Sequence, residues 1–237
     1  MFLFVKYYIY VCLNYNPNPM LSLSEENYLK VIHKLENERH VEATTSAISE
    51  MMRTKASSVS DMLKKLADKE LINYIKYQDI TLTDKGKINA LRIIRKHRLW
   101  EVFLVEKLDY RWDEVHDIAE QLEHIQSDTL IEKLDKYLGH PATDPHGDLI
   151  PDAEGNVRTA RKRVFFSEIN VGTKGVVQGV NDTSPVFLRY LTKIGLGIGS
   201  EFEITDRIEY DQSVELAVQG RIIVMSREAA RNVYALE

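Results

Sequence analysis

Four potential metal ligands fall within nine residues of this chain, in His116-Asp-Ile-Ala-Glu120-Gln-Leu-Glu123-His124, and two more stand four apart in His97-Arg-Leu-Trp-Glu101. On an α-helix, residues four apart lie one turn above each other on the same face. His97 and Glu101 therefore converge, and His116, Glu120 and Glu123/His124 form one polar stripe. The neighbours Val115, Ile118, Ala119, Leu122 and Ile125 are apolar, so the stripe borders a face that a globular helix buries. Buried carboxylates and imidazoles are costly unless they are paired or bound to a metal. The pattern predicts a metal site on adjacent helices.

Taken singly, each ligand has a plainer role. His97 reads as a surface or phosphate-facing histidine, Glu101 and Glu123 as solvated helix carboxylates, and His116 as a partner of Glu120. The shared face outweighs these readings. His33, His40, His140 and His146 are read as surface, turn or linker residues.

At 237 residues and 44% hydrophobic, the chain suits a soluble protein of one to three domains. Its net charge of -5 argues against wholesale coating of nucleic acid, but the charge is uneven. Lys85–Arg98 holds six Lys/Arg and no acid, whereas Asp113–Glu154 holds twelve acids against two Lys. Such a chain can meet phosphates at one end and cations at the other. The single cysteine, Cys12, excludes a disulfide framework and a thiolate metal site and predicts a reducing, cytoplasmic home. The apolar leader MFLFVKYYIYVCL is too short to span a bilayer and lacks a signal-peptide cleavage site. Met20 is the expected natural start, with no membrane role.

From Ser22 or Ser24 the pattern is helical. Ser24, with Asn27 and the apolar run Tyr28, Leu29, Ile32 and Leu35, predicts an N-capped amphipathic helix. A second helix is expected from about Thr44 and a third over Ala56–Lys69, separated by the polar turn Arg53-Thr54-Lys55. Leu71–Tyr77 and Ile80–Thr83 then read as a β-hairpin turning near Gln78-Asp79. Helix, helix-turn-helix and hairpin make a winged helix-turn-helix whose third helix enters the major groove. Its leading Lys55, Ser57, Ser58 and Ser60 are donors that reach base edges and phosphates. Lys64, Lys65 and Lys76 on the wing add phosphate contacts.

Asp84 is expected to cap the next helix, which continues through Leu104. Further helices are predicted over Asp113–Ile125 and Ser127–Leu138, with apolar faces wide enough to call for dimerisation. The Pro-, Gly- and Asp-rich stretch 139–163 reads as a linker. Beyond it, β-like segments at Gly175, Ser200–Thr205, Val214–Val218 and Arg221–Val224, with a helix-like Ser226–Val233, predict a small SH3-like barrel. The expected class is α+β: a leader at 1–20, a winged helix-turn-helix at 21–86, a helical metal-binding and dimerisation domain at 87–140, a linker at 141–163 and the barrel at 164–237.

The order of parts resembles the diphtheria toxin repressor and manganese transport regulator family of metal-dependent repressors. The resemblance rests on Ser24-Glu-Glu-Asn-Tyr-Leu, Leu82-Thr-Asp-Lys-Gly86, Arg95-Lys-His-Arg-Leu-Trp-Glu101, Val115-His-Asp with Glu123-His124, and His140-Pro-Ala-Thr-Asp-Pro-His-Gly147. Leu196-Gly-Ile-Gly-Ser200 resembles the FeoA-type SH3 domain of longer members. The resemblance implies two metal sites: an ancillary site at His97, Glu101 and His116, and a primary site at Glu120, Glu123, His124 and Asn27. It also marks departures. Asn27 stands where iron-type members have Met and manganese-type members Asp. Lys30 replaces a second carboxylate, Glu120 stands where iron-type members carry Cys, and Ser184 and Phe187 do not supply the SH3 ligands.

These readings predict a non-enzymatic, homodimeric repressor of a palindromic operator in double-stranded DNA. Oxygen-rich ligands favour Mn²⁺ as activator, with Fe²⁺ the competitor and Zn²⁺ able to occupy the site. A metalloenzyme is the second class, supported by nothing beyond the ligands. A winged-helix regulator of an organic ligand is the third.

Overall fold

The computed structural model describes residues 21–37, 42–75, 79–157 and 162–236, in two compact units that divide between Thr81 and Leu82. The leader at 1–20, His40, and the wing residues Lys76 and Gln78 lie outside the described residues.

In the first unit, α1 (Leu23–Asn37) precedes α2 (Thr45–Met51), α3 (Ala56–Asp68) and the two-stranded pair β1 (Ile72–Asn73) and β2 (Thr81–Leu82). Helix α1 is capped by Ser22 rather than Ser24. The Ser22 hydroxyl accepts from the Glu25 amide at 3.3 Å, and the Glu25 carboxylate accepts from the Ser22 amide at 2.8 Å. This reciprocal box needs an acid three residues after the cap. Ser24 has Asn27 there, so it falls inside the helix. Thr44 caps α2. Arg53, at φ 48°, carries the chain through the turn into α3. Val59, Leu63 and Leu66 form the buried stripe of α3, which leaves Lys55, Ser57 and Ser58 exposed.

The second unit opens with α4 (Asp84–Leu108), followed by α5 (His116–Leu122) and α6 (Asp128–Tyr137). Thr83, not Asp84, caps α4, accepting from the Gly86 amide at 3.1 Å. Asp84 is instead the first-turn acid, where the helix dipole favours it. Helix α5 is shorter than the expected Asp113–Ile125 span because Asp113 is held in the preceding turn by two guanidinium nitrogens of Arg111, at 3.0 and 2.9 Å. Leu99, Val102 and Leu104 of α4 pack on Val115, Ala119, Ile131, Leu134 and Ile150.

Ile150 belongs to the stretch expected to be a linker. That expectation needs correction: Asp144, His146 and Ile150 are buried, and Thr143 pairs with Leu149. Arg98 donates to the Leu149 carbonyl and Arg95 to the Pro151 carbonyl, both at 2.6 Å. Residues 139–157 are an ordered loop packed on α4.

The barrel comprises β3 (Arg163–Phe165), β4 (Lys174–Val176), β5 (Gly179–Val180), α7 (Pro185–Ile194), β6 (Glu201–Arg207), β7 (Val214–Val218), β8 (Arg221–Met225), α8 (Arg227–Ala230) and β9 (Val233–Leu236). Two antiparallel sheets, β3-β9-β5 and β4-β6-β7-β8, enclose Phe166, Phe202, Ile204, Val214, Leu216, Val218, Met225 and Val233. Period-two alternation puts Val214, Leu216 and Val218 inside. Two points differ from the strand-dominated reading. Helix α7 starts at the cap Ser184 with Pro185 in its first turn and ends at Gly195 in the left-handed conformation. The Ser226–Val233 segment is helical only to Ala230 and then enters β9.

Candidate metal centre and DNA-binding helix

Helices α4 and α5 bring five of the six helical ligands into two convergent groups, His97–Glu101–His116 and His97–Glu120–Glu123. Within each group the donor atoms lie within 4.8 Å of one another. His97 is common to both. Its Nδ1 is 2.6 Å from Glu123 Oε2 and its Nε2 3.0 Å from Glu101 Oε1. Its ring meets that of His116 edge-on, with centroids 4.9 Å apart. His116 lies 3.5 Å from Glu101 and 3.9 Å from Glu120. His124 does not enter either group, although its Nε2 is 3.8 Å from Glu123. Asn27 belongs to the first unit, where its side-chain oxygen is buried with no hydrogen-bond partner.

The ordered loop supplies a third group that residue spacing did not reveal: Glu101, Asp144 and His146. His146 is 2% exposed, which overturns its reading as a linker histidine. Its Nε2 donates to the Trp112 carbonyl at 2.8 Å, which turns its Nδ1 toward Glu101 Oε2, 3.6 Å away. An imidazole N–H fixed on a backbone carbonyl is the usual support of a metal-ligating histidine. Asp144 Oδ1 accepts the amides of His146 and Asp148, and Asp144 Oδ2 is 3.5 Å from Arg98.

Burial opposes the charge on Glu101, but His97, His116 and His146 hold its carboxyl well below the ordinary range. Burial likewise opposes a charged His146, yet Glu101 and Asp144 lift it to about 9. Burial, Asp148 and Glu101 push Asp144 up to about 7, with Arg98 and His146 pulling the other way. Protons thus compensate the carboxylates of a cation-free cluster, and a cation can replace them. The donors are imidazole nitrogens and carboxylate oxygens with no sulfur, a set that suits divalent first-row ions. The residues fit a metal.

A neutral imidazole has one lone pair. His97 can therefore serve Glu120 and Glu123 through Nδ1, or Glu101 and His116 through Nε2, but not both at once. When Nδ1 is the ligand, Nε2–H donates to Glu101 Oε1 and Glu101 Oε2 still faces His146.

On α3, Lys55, Ser57 and Ser58 project from the first turn. The Ser60 hydroxyl instead donates to the Ala56 carbonyl at 3.0 Å, and Lys64 sits 3.3 Å from Asp61 with both side chains exposed.

Residues 20–80 match the family described as "Iron dependent repressor, N-terminal DNA binding domain", residues 83–152 its "metal binding and dimerisation domain", and residues 166–235 the "FeoA domain". A solved manganese-dependent transcriptional repressor in complex with manganese is 36% identical, with a TM-score of 0.81, over 90% of this chain and 99% of that one. The chain belongs to the diphtheria toxin repressor family of metal-dependent transcriptional repressors. Members of this family are DNA-binding repressors rather than enzymes. The diphtheria toxin repressor of Corynebacterium diphtheriae is 27% identical over 217 residues, 88% of this chain and 94% of that protein. The iron-dependent repressor IdeR of Mycobacterium leprae is 34% identical over 126 residues, 53% of this chain and 54% of that protein. The chain thus spans about half the length of the mycobacterial iron-dependent repressors it matches. Among the described residues, no helix is long and apolar enough to cross a membrane.

Proposed function

We propose that this family member is a cytoplasmic, homodimeric repressor that binds a palindromic DNA operator when a divalent metal, Mn²⁺ in preference to Fe²⁺, is bound. The observation that carries the reading is the sulfur-free donor set of α4, α5 and the 144–146 loop, joined in sequence to a winged helix with an exposed basic and serine-rich first turn. The similar solved structure is of a manganese-dependent transcriptional repressor in complex with manganese, and it supports Mn²⁺ here by similarity.

Glu120, Glu123 and His97 Nδ1 form the first proposed ligand set, with His124 as a further donor. Glu101, Asp144 and His146 form the second set, because Nδ1 use of His97 leaves them intact. His116, half-exposed, then orients Glu101. A bound cation supplies the positive charge that these buried carboxylates otherwise draw from protons. The residues' own part is to hold the carboxylates together and to fix each imidazole by its second nitrogen. Ordering both winged helices of a dimer at half-sites ~34 Å apart raises DNA affinity. Metal gains this leverage only through its preference for the ordered arrangement.

The test is fluorescence anisotropy on a duplex enriched from random sequence by the Mn²⁺-loaded protein. Binding should require Mn²⁺ and vanish on chelation. Equal binding with and without chelator would favour the organic-ligand regulator.

A further inference from the structure

Trp112, in the turn between α4 and α5, makes contacts that reach different parts of the second unit. Its backbone carbonyl accepts from His146 Nε2 at 2.8 Å. Its indole ring lies nearly parallel to the His146 ring, with centroids 6.1 Å apart and planes at 23°. Its Nε1 donates to the Thr192 hydroxyl oxygen of α7 at 3.0 Å, and the ring packs against the barrel core. The Thr192 hydroxyl gives its own hydrogen to the Leu188 carbonyl at 3.0 Å, so toward the indole it acts only as an acceptor. The next residue, Asp113, is buried and 3.5 Å from Arg189 of α7. One side of the turn is thus held by the barrel while the other faces His146.

We propose that Trp112 is the positioning residue of the Glu101–Asp144–His146 group: α7 fixes its indole, and the fixed turn presents the carbonyl that orients the His146 ring. The assignment rests on the reading of that group as the second ligand set, given above. A carbonyl can only accept, so Nε2 carries a hydrogen and Nδ1 is the nitrogen available to a cation. The main chain of His146 is fixed independently, its amide on Asp144 Oδ1 at 2.8 Å and its carbonyl on the Val180 amide at 3.0 Å. These bonds leave the ring free to turn about its side-chain torsions. The closest polar contact of the ring is the Trp112 carbonyl at 2.8 Å, against 3.6 Å from Nδ1 to Glu101 Oε2. The backbone bonds of the turn, Tyr110 to Leu104 and Glu114 to Arg111, flank Trp112 without including it. The place of its carbonyl therefore depends on where the indole is anchored. An imidazole already aimed by its second nitrogen binds a cation more tightly than one that must be ordered.

Thr192→Val keeps the side-chain shape and loses the acceptor, whereas Thr192→Ser keeps the acceptor and loses the methyl group. Trp112→Phe keeps an aromatic ring beside His146 and loses the N–H. His146→Ala identifies the ion held by the group. For each full-length variant, Mn²⁺ affinity and stoichiometry are measured by isothermal titration calorimetry, alongside the melting temperature in chelator. Thr192→Val and Trp112→Phe should each weaken by about tenfold the Mn²⁺ ion that His146→Ala removes, and leave the other ion as in the wild type. Thr192→Ser should bind both ions as the wild type does. The double variant Trp112→Phe, Thr192→Val should lose little beyond either single one, since both remove the same bond. If Trp112→Phe does not fold, the two Thr192 variants carry the test. Weaker binding in Thr192→Ser than in Thr192→Val, or equal weakening of both ions, would reduce Trp112 to a packing contact and overturn the proposal. Wild-type Mn²⁺ binding in Thr192→Val would overturn it as well. A His146→Ala protein that binds as many ions as the wild type would overturn the reading of the second ligand set, and the role of Trp112 with it.

Discussion

His97 is the residue on which the proposed metal chemistry turns, because both of its ring nitrogens meet carboxylates, Glu123 at 2.6 Å and Glu101 at 3.0 Å. Replacing it by Ala should weaken Mn²⁺ binding by more than ~10-fold and abolish the metal-induced gain in operator affinity. His116→Ala, which removes a half-exposed ring 3.5 Å from Glu101 and 3.9 Å from Glu120, should cost less than ~10-fold. Isothermal titration calorimetry ranks the two, and the reverse order would contradict the Nδ1 assignment. The convergence of His97, Glu101, His116, Glu120 and Glu123 was legible in the sequence because i, i+4 spacing fixes a shared face before any tertiary structure is known. The sharing of His97 was not, since it depends on how α4 and α5 pack. Asp144 and His146 escaped for a different reason. Their partner Glu101 is more than forty positions away, and a loop has no period from which burial can be read. The Asp144-Pro-His146-Gly147 wording of that loop was the available signal.

Among the elements, α3 was the most legible, since the apolar spacing of Val59, Leu63 and Leu66 leaves one face for solvent. Lys55 and Ser58 stand at its exposed start. Lys55→Ala should weaken operator binding across sequences and reduce the salt slope by ~1, whereas a base-contacting Ser58 should relax sequence preference when changed to Ala. Neither should alter Mn²⁺ affinity, and unchanged DNA binding in both would show that α3 is not the reading helix. Helix α7 was hidden although Ser184-Pro185 and Gly195 mark its two ends, because the β-rich sequence on both sides outweighs local capping. The start of α1 turns on the same capping logic: Ser22 and Ser24 differ only in the residue three positions later, Glu25 for one and Asn27 for the other.

In the whole molecule, the barrel is fastened to helices α4 and α5 through the segments that flank the Glu101–Asp144–His146 group. Trp112 Nε1 donates to Thr192 of α7 at 3.0 Å, and buried Asp113 lies 3.5 Å from Arg189 of α7. The Val180 amide donates to the His146 carbonyl at 3.0 Å, and the Tyr234 hydroxyl to the Gly147 carbonyl at 3.1 Å. Gly147 has φ +93°, and a Cβ there would stand 2.1 Å from the Gln178 carbonyl oxygen. Gly147→Ala should therefore destabilise the unit by about 1–3 kcal/mol and displace His146, removing one of two bound Mn²⁺ per subunit. Equilibrium dialysis with metal analysis reads this directly, and an unchanged stoichiometry would place the second ion elsewhere. The α+β class and the three-part order were legible because capped helices, a hairpin and short strands each have a local signature. The docking of the barrel was not, because it is made by single side chains in turns. The central claim is that metal controls DNA binding and that the metal is manganese. It is tested by operator binding of the wild-type protein under anaerobic, metal-buffered conditions, titrated with Mn²⁺, Fe²⁺ and Zn²⁺ in turn. Full activation by Mn²⁺, with Zn²⁺ bound but only partly activating, is the expected result. Activation by Fe²⁺ with Mn²⁺ inactive would contradict the manganese assignment, and operator binding indifferent to every metal and to chelator would contradict the account as a whole.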